Sequence, residues 1–158
     1  LLLVSVSLLQ EGYVKFLAHK HNILELTKAL KKTGIKILSV NLVILILFII
    51  FGEDLLIFVY KKEEYLKAYT PLLLLLFANM IFMFASITAV IMVVLKLQRE
   101  KAKYHVEFIL ISIIFGLLLT HFYGINGLAS SYIILYTYST IRYVKKYIKI
   151  YKLELSKN

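Results

Sequence analysis

The sequence predicts an all-α integral membrane protein of about five transmembrane helices, and three observations carry that expectation. First, Pro71 to Leu95 reads PLLLLLFANMIFMFASITAVIMVVL, twenty-five residues without a Lys, Arg, Asp or Glu. As a helix this stretch covers roughly 37 Å, more than the roughly 30 Å hydrocarbon layer of a bilayer. A soluble core helix has no need to be apolar on every face at that length. Second, hydrophobic residues make up 61% of the 158-residue chain and the mean hydropathy is +0.83, where soluble proteins sit near roughly 45–50% apolar. Third, the charges gather in the gaps between apolar runs.

Composition also sets exclusions. A net charge of +10 suggests a nucleic-acid partner, but the distribution of the basic residues matches the cytoplasmic loops of a membrane protein, so no nucleic acid is expected. The chain has no Cys, which removes disulfides and thiolate metal sites. One Pro and six Gly leave no flexible linker. The opening LLLVSVSLL lacks the basic start and small-residue cleavage site of a signal peptide and reads as the end of a hydrophobic helix. With no initiating Met, the sequence is expected to be a C-terminal piece of a longer protein.

In order, residues 1–9 are expected as the remnant of a first span, and 10–33 as an interfacial segment. Within the latter Asn22 can cap a helix, with Glu25 three residues on. Ile23, Leu26 and Leu30 share one face, Lys28, Lys31 and Lys32 take the other, and Gly34 is positioned to end it. Such a helix would either lie on the bilayer surface near anionic lipids or serve as a solvated connector. The second span is expected at 35–51, ended by Gly52, Glu53 and Asp54. Residues 53–68 form a second interfacial segment leading to Pro71, which suits the first turn of a helix. The third span, 71–95, is followed by a basic turn with Lys96, Arg99, Lys101 and Lys103. The fourth and fifth spans are expected at 104–121 and 125–143. In the basic tail, 144–158, the tyrosines continue the helical pattern, and tyrosine with lysine suits the membrane–water boundary.

Counting tests this topology. The connections after the first, third and fifth spans carry six, four and six Lys and Arg, and the other two carry three and none. Sixteen of nineteen thus fall on one side, as five alternating spans require. The positive-inside rule makes that side, with the C-terminus, cytoplasmic.

Polar residues within spans usually face another helix or a water-filled cavity. Asn79 and Ser86 share a face, Ser112, Gly116 and Thr120 form a stripe, and Gly127 and Ser131 make a small-xxx-small pair. Helix packing explains such stripes more often than a cavity does. Glu107 and His121 lie near span ends, where a solvated anchor is the commoner role. No catalytic carboxylate pair, metal-ligand spacing or Gly-rich phosphate loop is present, so no enzyme activity, metal or cofactor is expected.

The segment GEDLLIFVYKKEEYLKAYTPLLLLL, from Gly52, resembles a junction in polysaccharide flippases of the multidrug/oligosaccharidyl-lipid/polysaccharide exporter superfamily. There a span ends in Gly and an acidic residue, and a Glu-Tyr-x-x-Ala element, here Glu64, Tyr65 and Ala68, leads into the next span. The family often has Gly where this chain has Lys61 and Lys62. HFYGINGLASSY resembles the family's Tyr-Gly-Ile-x-Gly-x-Ala helix entry, matched by Tyr123, Gly124, Ile125, Gly127 and Ala129. A Pro is frequent in the family where this chain has His121. The resemblance covers nearly the whole chain through short motifs. It implies that the five spans form most of the C-terminal lobe of a twelve-helix bundle in the bacterial cytoplasmic membrane. Such proteins move lipid-linked oligosaccharide repeat units of the undecaprenyl-pyrophosphate type across that membrane for O-antigen, capsule or similar surface polysaccharide. Asn41, Asn79, Ser86 and Ser112 would face the substrate cavity, and other polysaccharide assembly proteins would be partners. Two alternatives stay open: a cation-coupled drug antiporter of the same superfamily, and a membrane enzyme of glycan assembly.

Overall fold

The computed structural model describes Tyr13, Leu17, Ala18 and residues 22–156. Three long helices dominate: α1 (Ile23–Tyr60), α2 (Tyr69–Val94) and α3 (Gln98–Leu155), with a short 3₁₀ helix, Glu63–Ala68, between α1 and α2. There is no strand among the described residues. The three long helices are each apolar enough over sufficient length to cross a membrane. The all-α expectation therefore holds, but five separate spans do not appear. The expected span at 1–9 lies outside the described residues, and those at 104–121 and 125–143 belong to a single folded-back α3.

α1 begins where Asn22 accepts hydrogen bonds from the backbone N–H groups of Leu24 and Glu25, satisfying donors that the first turn leaves unpaired. It then runs unbroken through both glycines that looked like stops. Gly34 sits in the seam with α2, where an added Cβ would meet Ile87 at 3.9 Å. Gly52 is buried beneath Tyr69 and Phe48, and a Cβ there would lie 2.9 Å from the Tyr69 ring. Neither glycine terminates α1: Gly52 serves close approach, whereas a Cβ on Gly34 would make only an ordinary van der Waals contact. Residues 23–33 are accordingly not a separate surface helix. Leu26 is fully buried with Ile37, Met83, Ile87, Ile91 and Val94, and Leu30 packs against them. Thr27 hydrogen-bonds Tyr147 at 2.7 Å, so the start of α1 is tied to the far end of α3.

The actual stop is Lys61, at φ 54°, ψ 25°, whose N–H donates to Ile57 O. This left-handed residue closes the last turn of α1. The 3₁₀ turn then delivers the chain to α2, with Pro71 buried in its first turn. α2 runs antiparallel to α1, pairing Asn79 with Asn41 and stacking Tyr69 on Phe48. Its end repeats the left-handed device. Lys96 (φ 59°) donates to Val93 O, and Leu97 donates to Met92 O, the paired bonds of a Schellman cap.

α3 contains one non-helical residue, Gly124, at φ 58°, ψ −139°, a conformation open to glycine and costly for other residues. There the helix folds back, and the arms 98–123 and 125–155 run antiparallel. Gly127 makes the reversal tight, since a Cβ on it would fall 1.9 Å from the Leu119 carbonyl oxygen. Phe108 and Tyr143 pack edge-on between the arms, against Ala85 and Met92 of α2. The expected basic tail thus begins inside the second arm, and within its described residues Tyr147 packs against the core.

α2 is the most buried of the three helices, and α1 and α3 turn broad apolar faces outward. Phe58 is 82% exposed and Leu117 70%, beside Leu47, Ile50, Ile113 and Phe122. Surface of this kind is costly in water and suited to hydrocarbon. Thirteen described Lys and Arg lie on 28–36, 96–103 and 142–152, and three lie on 61–67. The fold puts the first set at one end of the bundle and the second at the other.

Candidate functional site

Polar chemistry inside the bundle begins with an asparagine clasp. Asn41, 6% exposed, donates its amide to Ile37 O at 2.8 Å and accepts a hydrogen bond from Asn79 at 3.2 Å. Two of the four residues expected to face a cavity therefore face each other across the α1–α2 seam. Thr88, Ser130, Ser131 and Ser139 bond back to carbonyls of their own helices, which satisfies each hydroxyl without calling on a cavity.

Ser86 does line open space. A groove of about 370 Å³ lies between α2 and both arms of α3. Its polar lining is Ser86 from α2, Lys101 and His105 from the first arm, and Tyr136, Ser139 and Tyr143 from the second. Apolar side chains such as Phe82, Val90 and Leu135 complete it. Ser112 is half-buried one turn beyond Phe108 and stands outside this lining.

Ion pairs between the arms flank the groove. Arg142 meets Glu107 at 2.8 Å and lies 4.6 Å from the centre of the Tyr104 ring. Tyr138 donates to the other Glu107 oxygen at 3.2 Å. Lys146 pairs with Glu100. Glu107 is thus not the solvated anchor its boundary position suggested. Its partner, thirty-five positions on, becomes adjacent only after the fold at Gly124, and helical spacing gave no sign of it.

At the other end, a groove of about 420 Å³ is lined by Leu56, Tyr65, Ala68, Pro71, Ile125 and Ala129, among others. Two segments singled out in the sequence thereby share one wall, Tyr65 and Ala68 from one and Ile125 and Ala129 from the other. Tyr65 stacks on Tyr60 at 4.3 Å. Glu64 stays exposed, 3.5 Å from Lys62. Gly124 and Gly127 form the adjacent reversal.

Among the described residues no group of three or more His, Cys, Asp or Glu is placed to hold a metal ion. The groove of Ser86, Lys101 and His105 can accept an anionic or hydroxylated group at its polar end. Its lining holds no carboxylate. No protein-family model, no curated protein and no solved structure matches this chain.

Proposed function

We propose that this chain is the C-terminal part of a polysaccharide repeat-unit flippase of the multidrug/oligosaccharidyl-lipid/polysaccharide exporter superfamily. In this reading it lies in a bacterial cytoplasmic membrane with its C-terminus cytoplasmic. α1, α2 and the two arms of α3 cross the membrane in this reading, and the chain transports without catalysing a reaction. The observation that carries the reading is the meeting of its two motif segments. Tyr65 and Ala68 of the first and Ile125 and Ala129 of the second, far apart in sequence, line one groove. Lys61 adds support, because it takes a left-handed conformation where the family often has Gly.

The mechanism is a matter of solvation. A sugar and a pyrophosphate lose water without partners in hydrocarbon, at a cost of several kcal/mol per group. A polar cavity between two lobes replaces that water while the lipid tail remains in the bilayer, and rocking of the lobes alternates its opening. Ser86 lines the groove of about 370 Å³ whose end is polar. Asn41 and Asn79 help to hold the lobe together.

The antiporter reading has one observation of its own, the half-buried Glu107. Both its oxygens are already engaged, by Arg142 and Tyr138, so proton cycling there would have to break an ion pair.

The test is deletion and complementation in the source strain. Accumulation of lipid-linked repeat units on the cytoplasmic leaflet, loss of surface polysaccharide and rescue by the gene are the expected results. Normal surface glycan with altered sensitivity to cationic drugs would replace the flippase by the antiporter.

A further inference from the structure

We infer that the groove between α2 and α3 holds one anionic glycerophospholipid, its phosphate between Lys101 and His105 and an acyl chain along α2. The inference depends on the helices crossing a membrane, but not on what the protein transports.

Three stripes at helical spacing make the groove: 82, 85, 86, 89 and 90 on α2, 101, 105 and 108 on the first arm, and 135, 136, 139 and 143 on the second. Its length is graded in chemistry. Lys101 and His105 lie one turn apart within the first turns of α3, at the basic end. From Val90 to Phe82 the wall descends about 12 Å along α2, through Ala89 and Ser86, and Phe82 there packs against Tyr136. A charged end with an apolar run below it matches a phosphate headgroup and its chain, and fits a free anion less well.

Charge complementarity is local. The two acids on the same arm are committed elsewhere, Glu100 to Lys146 and Glu107 to Arg142. Lys101 and His105 make no ion pair among the described residues. Both are hydrogen-bond donors to a phosphate oxygen. Tyr143 adds an independent sign. It lines the groove, is 2% exposed, and its hydroxyl has no hydrogen-bond partner among the described residues. Buried hydroxyls are seldom left so. Tyr104 and Phe108 hold the ring edge-on at 5.8 and 5.4 Å, so the hydroxyl cannot swing to solvent without breaking that packing.

The full-length protein is to be placed in phosphatidylcholine nanodiscs with increasing phosphatidylglycerol, and the retained anionic lipid counted by native mass spectrometry. One phosphatidylglycerol is expected to persist at low mole fraction. Lys101→Ala with His105→Ala should weaken retention about tenfold, the loss of charge-assisted contacts. Tyr143→Phe, which keeps the packed ring, should weaken it severalfold. Lys103→Ala, on the same turn but outside the groove, should change it less than twofold. Helicity and elution profile verify that each variant is folded. Equal losses from Lys103→Ala and the double variant would mean diffuse attraction to the basic end and overturn the site. So would undiminished retention in the double variant. Full displacement by millimolar inorganic phosphate would assign the site to a free anion and overturn the lipid. Release of the protein from native membranes by alkaline carbonate would instead sink the membrane reading itself.

Discussion

Asn79 donates a side-chain hydrogen bond to Asn41 across 3.2 Å, joining α2 to α1 where both helices are otherwise apolar. Away from water the alternative to this bond is an unsatisfied amide, so the pair should act as a clasp. Asn79→Leu is expected to destabilise by about 1 kcal/mol, and a double-mutant cycle with Asn41→Leu to give a coupling of about 0.6–1.7 kcal/mol. Reversible unfolding of the full-length protein in bicelles reads both. Zero coupling would mean that the asparagines do not meet in the membrane. Under the proposed flippase role, loss of polysaccharide export at unchanged stability would instead place them on the substrate path.

The reversal in α3 sets two glycines against each other. A Cβ on Gly127 would lie 1.9 Å from the Leu119 carbonyl oxygen, whereas one on Gly116 would meet nothing within 4 Å. Gly127→Ala must therefore separate the arms, and should cost about 2–3 kcal/mol, in the range of overpacking. Gly116→Ala should be neutral, or stabilise by up to about 1 kcal/mol through helix propensity. Thermal unfolding of the two variants side by side checks the sign of each. Equal effects would rule out the tight reversal.

Lys61 ends α1 at φ 54°, where a side chain costs roughly 1–2 kcal/mol and glycine is unstrained. Part of that gain is returned as glycine's greater freedom in the unfolded chain. Lys61→Gly should accordingly stabilise by about 0.5–1 kcal/mol, and the β-branched Lys61→Val should destabilise. A fall in melting temperature for Lys61→Gly would show that α1 does not stop there.

These features divide by how local their cause is. α2 was legible because twenty-five consecutive residues lack charge, and the Asn22 cap because its partners lie within three residues. The break near Gly124 showed in the sequence as the boundary between residues 121 and 125. Gly34 and Gly52 read as stops in the sequence, because glycine terminates helices but also admits close neighbours. At Gly52 only Tyr69, supplied by another helix, decides which. Conversely, Lys61 and Lys96 stop helices with residues that carry no such signal. Glu107 reads in the sequence as a lone boundary charge, since its partner Arg142 sits on the other arm and the fold alone brings them to 2.8 Å. Ser86 was singled out for its polarity. The groove around it needed Lys101 and His105 from one arm and Tyr143 from the other, a convergence that no single helical period encodes.

The fold also fixes which connections must share a side of the membrane. Because α3 doubles back at Gly124, Lys103 and Lys149 belong to the same end of the bundle, and Lys62 and Asn126 to the other. A straight α3 would instead put Lys103 and Lys149 on opposite sides. The chain has no Cys, so single substitutions Lys62→Cys, Lys103→Cys, Asn126→Cys and Lys149→Cys each report without background. With a membrane-impermeant maleimide added outside intact cells, Lys62→Cys and Asn126→Cys should label. Lys103→Cys and Lys149→Cys should label only after permeabilisation, as the basic end is expected inside. The reverse pattern would keep the hairpin and invert the orientation. Labelling of Lys149→Cys but not Lys103→Cys from outside would unfold the hairpin into a single crossing, and with it the groove that depends on both arms.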